Sequence, residues 1–252
     1  MPLDALLLAV VTAAAAGLVG CFAVMRRMAL ASDAISHVAL PGIGLALIFN
    51  VHPLLGALVA LVAGVLLIWK LDEETRIPTD TIIGVVFSAA LAVGSMMTPQ
   101  EELVGLLLGR SRPISTLEIV FSLLAAFRVV TFILRERHRL VVSLVSPDMA
   151  RTSGVNVRRL NLGYLLMFAL TVALGLRHLG VLLMGSLIII PAATARRLAT
   201  HLSQMLTLSA VIAIVTTVTG FALAARIHQE PGPVIVTLAA AVFALTFLRR
   251  RA

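Results

Sequence analysis

The chain has few of the residues that stabilise or operate a soluble domain. Its 252 residues include one cysteine, one tryptophan and one tyrosine, and only 13% are charged. Because 60% are hydrophobic and the mean hydropathy is +1.07, the apolar surface exceeds what a soluble domain of this length could bury. The composition therefore predicts an all-α integral membrane protein that crosses the bilayer several times.

The single cysteine, Cys21, excludes a disulfide within the chain and a metal cage of several cysteines. With the three residues before it, LVG, it resembles the cleavage box of a bacterial lipoprotein signal, which would remove residues 1–20. A signal peptide needs a positive start, however, whereas this chain opens MPLDA and stays apolar to Met25. We therefore expect an uncleaved first transmembrane helix, whose AAAAG stretch favours close helix packing.

Motifs for ATP hydrolysis and for proteolysis are also missing from the sequence. There is no GxxxxGK[ST] phosphate loop, so energy for uphill transport must come from a partner or an ion gradient. There is no HExxH and no paired acid system, which argues against an intramembrane enzyme. We expect a protein that is not itself an enzyme.

The formal net charge is +8, but the basic residues form short clusters between apolar runs and are not interleaved with aromatic residues. This pattern disfavours nucleic acid as a partner and indicates membrane orientation. The clusters at 26–27, 70–76, 135–159, 196–197 and 249–251 all lie in the cytoplasm if the N-terminus is outside. Arg110 and Arg112 do not fit, so either residues 101–109 re-enter the membrane or one predicted helix is wrong.

Hydropathy predicts nine helices, and a full crossing needs about 20 apolar residues. The second and seventh are short, so eight or nine spans are expected in one domain over residues 1–252. Short or interrupted membrane helices often line a polar path. The nine segments lie near 5–25, 35–50, 53–70, 79–97, 116–134, 160–176, 180–195, 204–225 and 233–248.

The longest hydrophilic segment, at about 135–159, is too short for a catalytic domain. Within it Ser146 is a good helix cap, Pro147 suits the first helical position and Asp148 suits the first turn. Gly154 is a good stop. The pattern predicts one short cytoplasmic surface helix, which is either a docking element for a partner or an ordinary solvated helix.

Asp33 and His37 are four residues apart, so in a helix their side chains share one face. Carboxylate and imidazole are ligands for zinc, manganese and ferrous iron, and a symmetric dimer would double the set. Alternatively, Asp33 caps the helix or pairs with Arg26 or Arg27, and His37 is structural. Ionisable groups are costly in a membrane span, which favours the metal interpretation. Residues 41–42, Pro-Gly, also favour it, because they predict a broken, cavity-lining helix.

The other histidines carry weaker expectations. His52 and His178 lie at predicted outer ends, where they would either contact incoming metal or form interfacial polar tips. His228 lies with Glu230 in a predicted outer loop, where it would form part of a mouth, whereas His138 and His201 lie among cytoplasmic arginines and are interpreted as surface residues.

Two stretches together resemble the signature segments of the membrane permease subunits of metal-ion ABC importers. They are RRMALASDAISHVALPGIG at 26–44 and GVLLMGSLIIIPAATARRLA at 180–199, with further similarity in DTIIG at 80–84 and PGP at 231–233. The segments SPDMARTSG, NVRRLN and PAATARR look most like the permease of the bacterial high-affinity zinc importer.

The resemblance implies a type II ABC importer-like fold and a homodimer in the lipid of the bacterial inner membrane. The implied partners are cytoplasmic ATP-binding subunits and a periplasmic metal-binding protein. No permanently bound cofactor is implied, since the divalent metal is the transported substrate.

The resemblance also assigns roles to individual residues. Asp33 and His37 match the acid and histidine that line the translocation path of the family. The segment around 147–154 matches the coupling element that docks on the ATPase, although many relatives have aspartate where this chain has Ser146. The residues to which the resemblance assigns coupling are Ser146, Pro147, Asp148, Ala150 and Gly154, and those to which it assigns gating or packing are Pro41, Gly42 and Pro191.

The expected function is therefore an ATP-driven importer subunit for a divalent metal, with zinc favoured and manganese or iron as alternatives. A stand-alone, gradient-driven metal carrier or channel is the competing class. Dependence of metal entry on an ATPase partner separates the two.

Overall fold

The computed structural model describes residues 3–28, 31–75, 77–97, 116–176 and 180–248, and within these ranges the chain is helical with no strand. One short helix lies among nine long ones. The helices are α1 (Leu3–Met25), α2 (Ala31–Ile48), α3 (Pro53–Glu74), α4 (Thr79–Met97), α5 (Thr116–Val145), α6 (Pro147–Thr152), α7 (Val157–Leu176), α8 (Gly180–Leu198), α9 (Leu202–Ile227) and α10 (Pro231–Leu248).

Each of the nine predicted apolar segments is a helix, and the short surface helix is also present as α6. The predicted end of the fifth segment, at 134, is wrong, because α5 continues to Val145. Residues 135–145 contain charged side chains but no glycine or proline, and Leu140 in their middle is buried. The end of an apolar run therefore does not end the helix here, and the segment predicted as a loop from about 135 begins as helix.

Seven helices in the described ranges are long and apolar enough to cross a membrane, namely α1, α2, α3, α4, α7, α9 and α10. These lengths agree with a multi-pass membrane protein. The expected total of eight or nine spans stays a prediction. The re-entrant alternative for residues 101–109, with Arg110 and Arg112, lies outside the described residues.

The helices pack as two groups joined along α2, α7 and α8. In one group α1 packs against α8 and α9, and α10 packs against both of those; in the other α2 packs against α3 and α4. Contacts join helix ends that the charge pattern assigns to one side: Arg196 donates to the Val24 carbonyl at 3.1 Å, and Trp69 donates to the Arg158 carbonyl at 3.3 Å. The packing therefore agrees with the orientation expected from the charge clusters, in which these helix ends lie on the cytoplasmic side.

The predicted break at Pro41 is wrong, because α2 runs through it, and α8 likewise continues through Pro191. At Pro41 the reason is visible in the packing. Gly94 of α4 faces the proline, and a Cβ there would lie 3.2 Å from Pro41 Cδ. The missing side chain leaves room for the ring, and a proline inside a membrane helix is tolerated where neighbouring elements compensate.

Helices α2 and α3 approach most closely at Gly42 and Gly56. A Cβ on Gly42 would lie 2.1 Å from the Gly56 carbonyl oxygen, so no side chain fits between these helices without moving backbone. Small residues allow such contact between membrane helices. This contact holds α2, the helix that carries Asp33 and His37, against α3.

We expect Gly42→Ala to lower the thermal denaturation midpoint of the purified protein, because α2 and α3 must separate to admit the methyl group. Overpacking of this kind costs about 1–3 kcal/mol. The matched control is Gly84→Ala in α4, where nothing lies within 4 Å of the new Cβ. Size-exclusion chromatography after heating in one detergent gives the midpoints, and equal midpoints for the two variants would contradict the packing argument.

Candidate metal site on α2

Asp33 and His37 lie one turn apart in α2. The chain turns between α1 and α2 through Arg27, which has φ +60°, and α2 begins at Ala31. Asp33 therefore lies in the first turn of the helix and His37 in the second, with Asp33 Oδ1 3.9 Å from His37 Nε2. The side chains meet as the four-residue spacing predicts.

Arg26, one of the two arginines considered as partners for Asp33, binds other residues. The Arg26 guanidinium donates a hydrogen bond to Asn161 Oδ1 and lies 4.5 Å from the centre of the Tyr164 ring. Both residues belong to α7, so Arg26 ties the end of α1 to that helix. This arrangement leaves the Asp33 carboxylate next to His37.

The two side chains differ in exposure. The His37 side chain is 16% exposed and its ring lies 5.4 Å from the Phe87 ring of α4. His37 Nδ1 is buried and has no hydrogen-bond partner among the described residues. The Asp33 side chain is 53% exposed, while its other side faces Gly185 of α8. The pair thus consists of a largely buried imidazole beside a half-exposed carboxylate.

One chain supplies an incomplete metal site. In the described part of the chain, no group of three or more histidine, cysteine, aspartate or glutamate side chains could hold an ion. A ligand pair of this kind can bind a transition metal only with further ligands from water or another chain.

The remaining histidines do not join this pair within the described residues. His52 caps α3, since its Nδ1 accepts from the Leu54 amide at 3.3 Å, and its Nε2 lies 3.7 Å from Glu118. His228 is an exposed residue with φ +53° at the end of α9. His178 lies outside the described residues. The expected roles of His52 and His228 at an outer mouth stay predictions.

The short helix α6 is built as its sequence predicts. Ser146 Oγ accepts from the Met149 amide at 3.2 Å, Pro147 is the first helical residue, and Gly154 follows with φ +78°. Ala150 is buried, which anchors the helix on the fold. The helix and its cap are confirmed, whereas its docking role stays a proposal.

Sequence reasoning missed Met149, which lies on the outside of α6. Its side chain is 63% exposed, between Asp148 and Arg151, which pair with each other at 3.2 Å. A singly exposed apolar side chain is common on protein surfaces, so a docking role for Met149 is part of the proposal for α6. The signal was available in the sequence, since the helix itself was predicted.

The start of α7 connects α6 to the membrane helices. The Val155 amide donates to the Ala150 carbonyl at 3.0 Å, closing the turn after α6. Arg158 lies 3.5 Å from Glu73 and 4.7 Å from the Trp69 ring, which fastens α7 to the end of α3. Arg26 also binds α7, so this helix contacts both the turn after α6 and the turn before α2.

Long apolar helices, an adjacent carboxylate and imidazole on one of them, and a short surface helix between two others are features of a membrane permease, a protein that passes a solute between its helices. The model of the ABC 3 transport family matches residues 2–250. The chain belongs to this family, whose members are membrane permeases of metal-ion ABC importers.

Curated relatives of similar length carry three different metals in their names. The chain is 29% identical to the high-affinity zinc uptake system membrane protein ZnuB of Haemophilus influenzae, over 98% of this chain and 96% of that protein. It is 30% identical to the manganese transport system membrane protein MntC of Listeria innocua, over 97% and 89%. It is also 30% identical to the chelated iron transport system membrane protein YfeD of Yersinia pestis, over 97% and 84%.

A solved structure shares the fold. The structure described as PsaBC from Streptococcus pneumoniae in complex with Fab matches with a TM-score of 0.84 and 27% identity, over 97% of this chain and 90% of that one. The named relatives are all membrane proteins of metal transport or uptake systems, whereas the metal in their names differs.

Proposed function

We propose that the chain is the membrane-spanning subunit of an ATP-driven importer that carries a divalent transition metal, zinc first, across the bacterial inner membrane into the cytoplasm. The observation that carries the proposal is the contact between Asp33 and His37 on α2. Both residues are metal ligands, they lie 3.9 Å apart, and the carboxylate is half-exposed on a helix apolar enough to span the bilayer.

The open side of Asp33 supports a second copy of the chain as its cover. A carboxylate facing lipid is costly, so such groups face protein or a water-filled path. A two-fold axis beside Asp33 and His37 brings together two imidazoles and two carboxylates. That assembly supplies four ligands, two from each chain, and places the ion on the axis between the two copies.

The donor set supports zinc over manganese. Two imidazole nitrogens with two carboxylate oxygens suit a four-coordinate zinc ion, whereas manganese prefers a site of oxygen ligands. Ferrous iron also accepts imidazole, so iron and manganese are the alternative substrates. The identities to zinc, manganese and iron proteins are similar, so we base the preference for zinc on the ligands of the site.

The rest of the proposed mechanism follows from what each part of the chain does. A periplasmic metal-binding protein delivers the ion to the outer end, and the Asp33 and His37 pairs hold it in transit. Separate cytoplasmic ATP-binding subunits dock on α6. Their movement reaches the turn before α2 through the contacts of Arg26 and Arg158 with their neighbouring helices.

Purified protein in lipid vesicles tests the proposal against a gradient-driven carrier. Vesicles that contain a zinc-sensitive dye and this chain alone should stay dark when zinc and its binding protein are added outside. Vesicles that also contain the ATP-binding subunits should brighten only when ATP reaches those subunits. Zinc entry driven by a gradient in the chain-only vesicles would replace the importer with a carrier, and manganese or iron entry in place of zinc would reassign the substrate.

A further inference from the structure

Gly185 of α8 lies directly against the Asp33 side chain. A Cβ at position 185 would lie 3.0 Å from Asp33 Oδ1 and 3.2 Å from Asp33 Cα. The preceding residue on α2, Ser32, is buried and donates to the Gly185 carbonyl at 3.3 Å. Helices α2 and α8 therefore meet at this glycine, and the carboxylate lies on the surface that the missing side chain leaves free.

We propose that Gly185 is a positioning residue for the metal site, setting where the Asp33 carboxylate lies relative to His37; this rests on the function proposed above. Glycine is among the poorest residues for a helix interior. Its place inside α8 is explained by the contact, since a Cβ there would crowd the carboxylate. The glycine also belongs to the second of the two signature stretches, GVLLMGSLIIIPAATARRLA.

A side chain at position 185 acts on the two ligands unequally. The new Cβ would push the Asp33 carboxylate by a few tenths of an ångström. His37 is held by the Phe87 ring of a different helix, α4, so its imidazole does not follow. The separation between the two ligands then changes, and metal sites lose affinity when ligands move by about 0.5 Å from the productive geometry.

Two other glycines serve as matched controls. Gly64 of α3 also packs on α2, but its Cβ would meet the Val38 side chain, 2.4 Å from Cγ1, and would leave Asp33 untouched. Gly84 of α4 has nothing within 4 Å. Alanine at Gly64 therefore tests general packing of α2, and alanine at Gly84 tests a helical glycine with no contact.

Zinc affinity of the purified full-length chain, measured by competition with a zinc-chelating dye, tests the proposal. We expect Gly185→Ala to weaken zinc binding about tenfold, the usual size for loss of a ligand-orienting contact. Gly64→Ala and Gly84→Ala should bind zinc like the unaltered chain. In the double variant Asp33→Ala/Gly185→Ala, affinity should equal that of Asp33→Ala alone, because coupled residues are not additive.

The outcomes separate this inference from the function on which it rests. Normal affinity in Gly185→Ala with weak binding in Asp33→Ala would overturn the inference alone. Normal affinity in Asp33→Ala would overturn both. An additive loss in the double variant, or an equal loss in Gly64→Ala, would assign Gly185 to general packing. If Gly185→Ala does not fold, folding of the double variant supports the contact with the carboxylate, and failure of both overturns it.

Discussion

Cells that carry Asp33→Ala together with His37→Ala are expected to take up zinc no faster than cells without the chain. The two substitutions remove both ligands of the proposed site from one chain, and in a dimer they remove four. Neither alanine can coordinate a metal, and the surrounding Phe87 and Gly185 offer no replacement side chain. Uptake of radioactive zinc under chelation, at matched protein levels in the membrane, measures the effect.

The control keeps the same residue types but places them elsewhere. His201, just before α9, and Glu74, at the end of α3, are an exposed imidazole and an exposed carboxylate. Changing both to alanine should leave zinc uptake near that of the unaltered chain. Normal uptake in the Asp33 and His37 variant at normal protein level would show that these residues are not the metal site. An equal loss in both variants would show that the loss is not specific to Asp33 and His37.

The contact between Asp33 and His37 could be predicted because it depends only on residues close together in the sequence. Asp33 and His37 are neighbours through the helical period alone, and the same holds for α6, where Ser146, Pro147 and Gly154 mark both ends of the helix. Such features need only a few adjacent residues. A single sequence is therefore enough to place them to within a residue or two.

The surroundings of the pair could not be predicted, because they come from distant parts of the chain. Phe87 and Gly185 lie beside His37 and Asp33 only after α4 and α8 have packed on α2. The error at Pro41 has the same origin, since Gly94 of a later helix makes room for its ring. One sequence shows which residues favour or disfavour a helix but not which neighbour compensates.

Met149→Asp is expected to abolish zinc uptake while leaving zinc binding intact. Ser146 caps the helix and buried Ala150 anchors it, so the helix holds the Met149 side chain in a fixed position on its outer face. Seating this exposed apolar side chain in the ATP-binding subunit buries it, whereas a buried aspartate without a partner is strongly unfavourable. Loss of a central apolar contact costs an interface about 2 kcal/mol or more, a fall in affinity of about thirtyfold.

Co-purification of the ATP-binding subunits and zinc competition on the same preparation measure both halves of that expectation. Met149→Leu keeps an apolar side chain of similar volume at the same place, so it should retain the partner and normal uptake. If Met149→Asp retained the ATP-binding subunits as well as Met149→Leu does, α6 would be an ordinary solvated helix and the partner would have to dock elsewhere. If zinc binding fell together with the partner, Met149→Asp would disturb the site on α2 as well, and the expectation of intact zinc binding would be wrong.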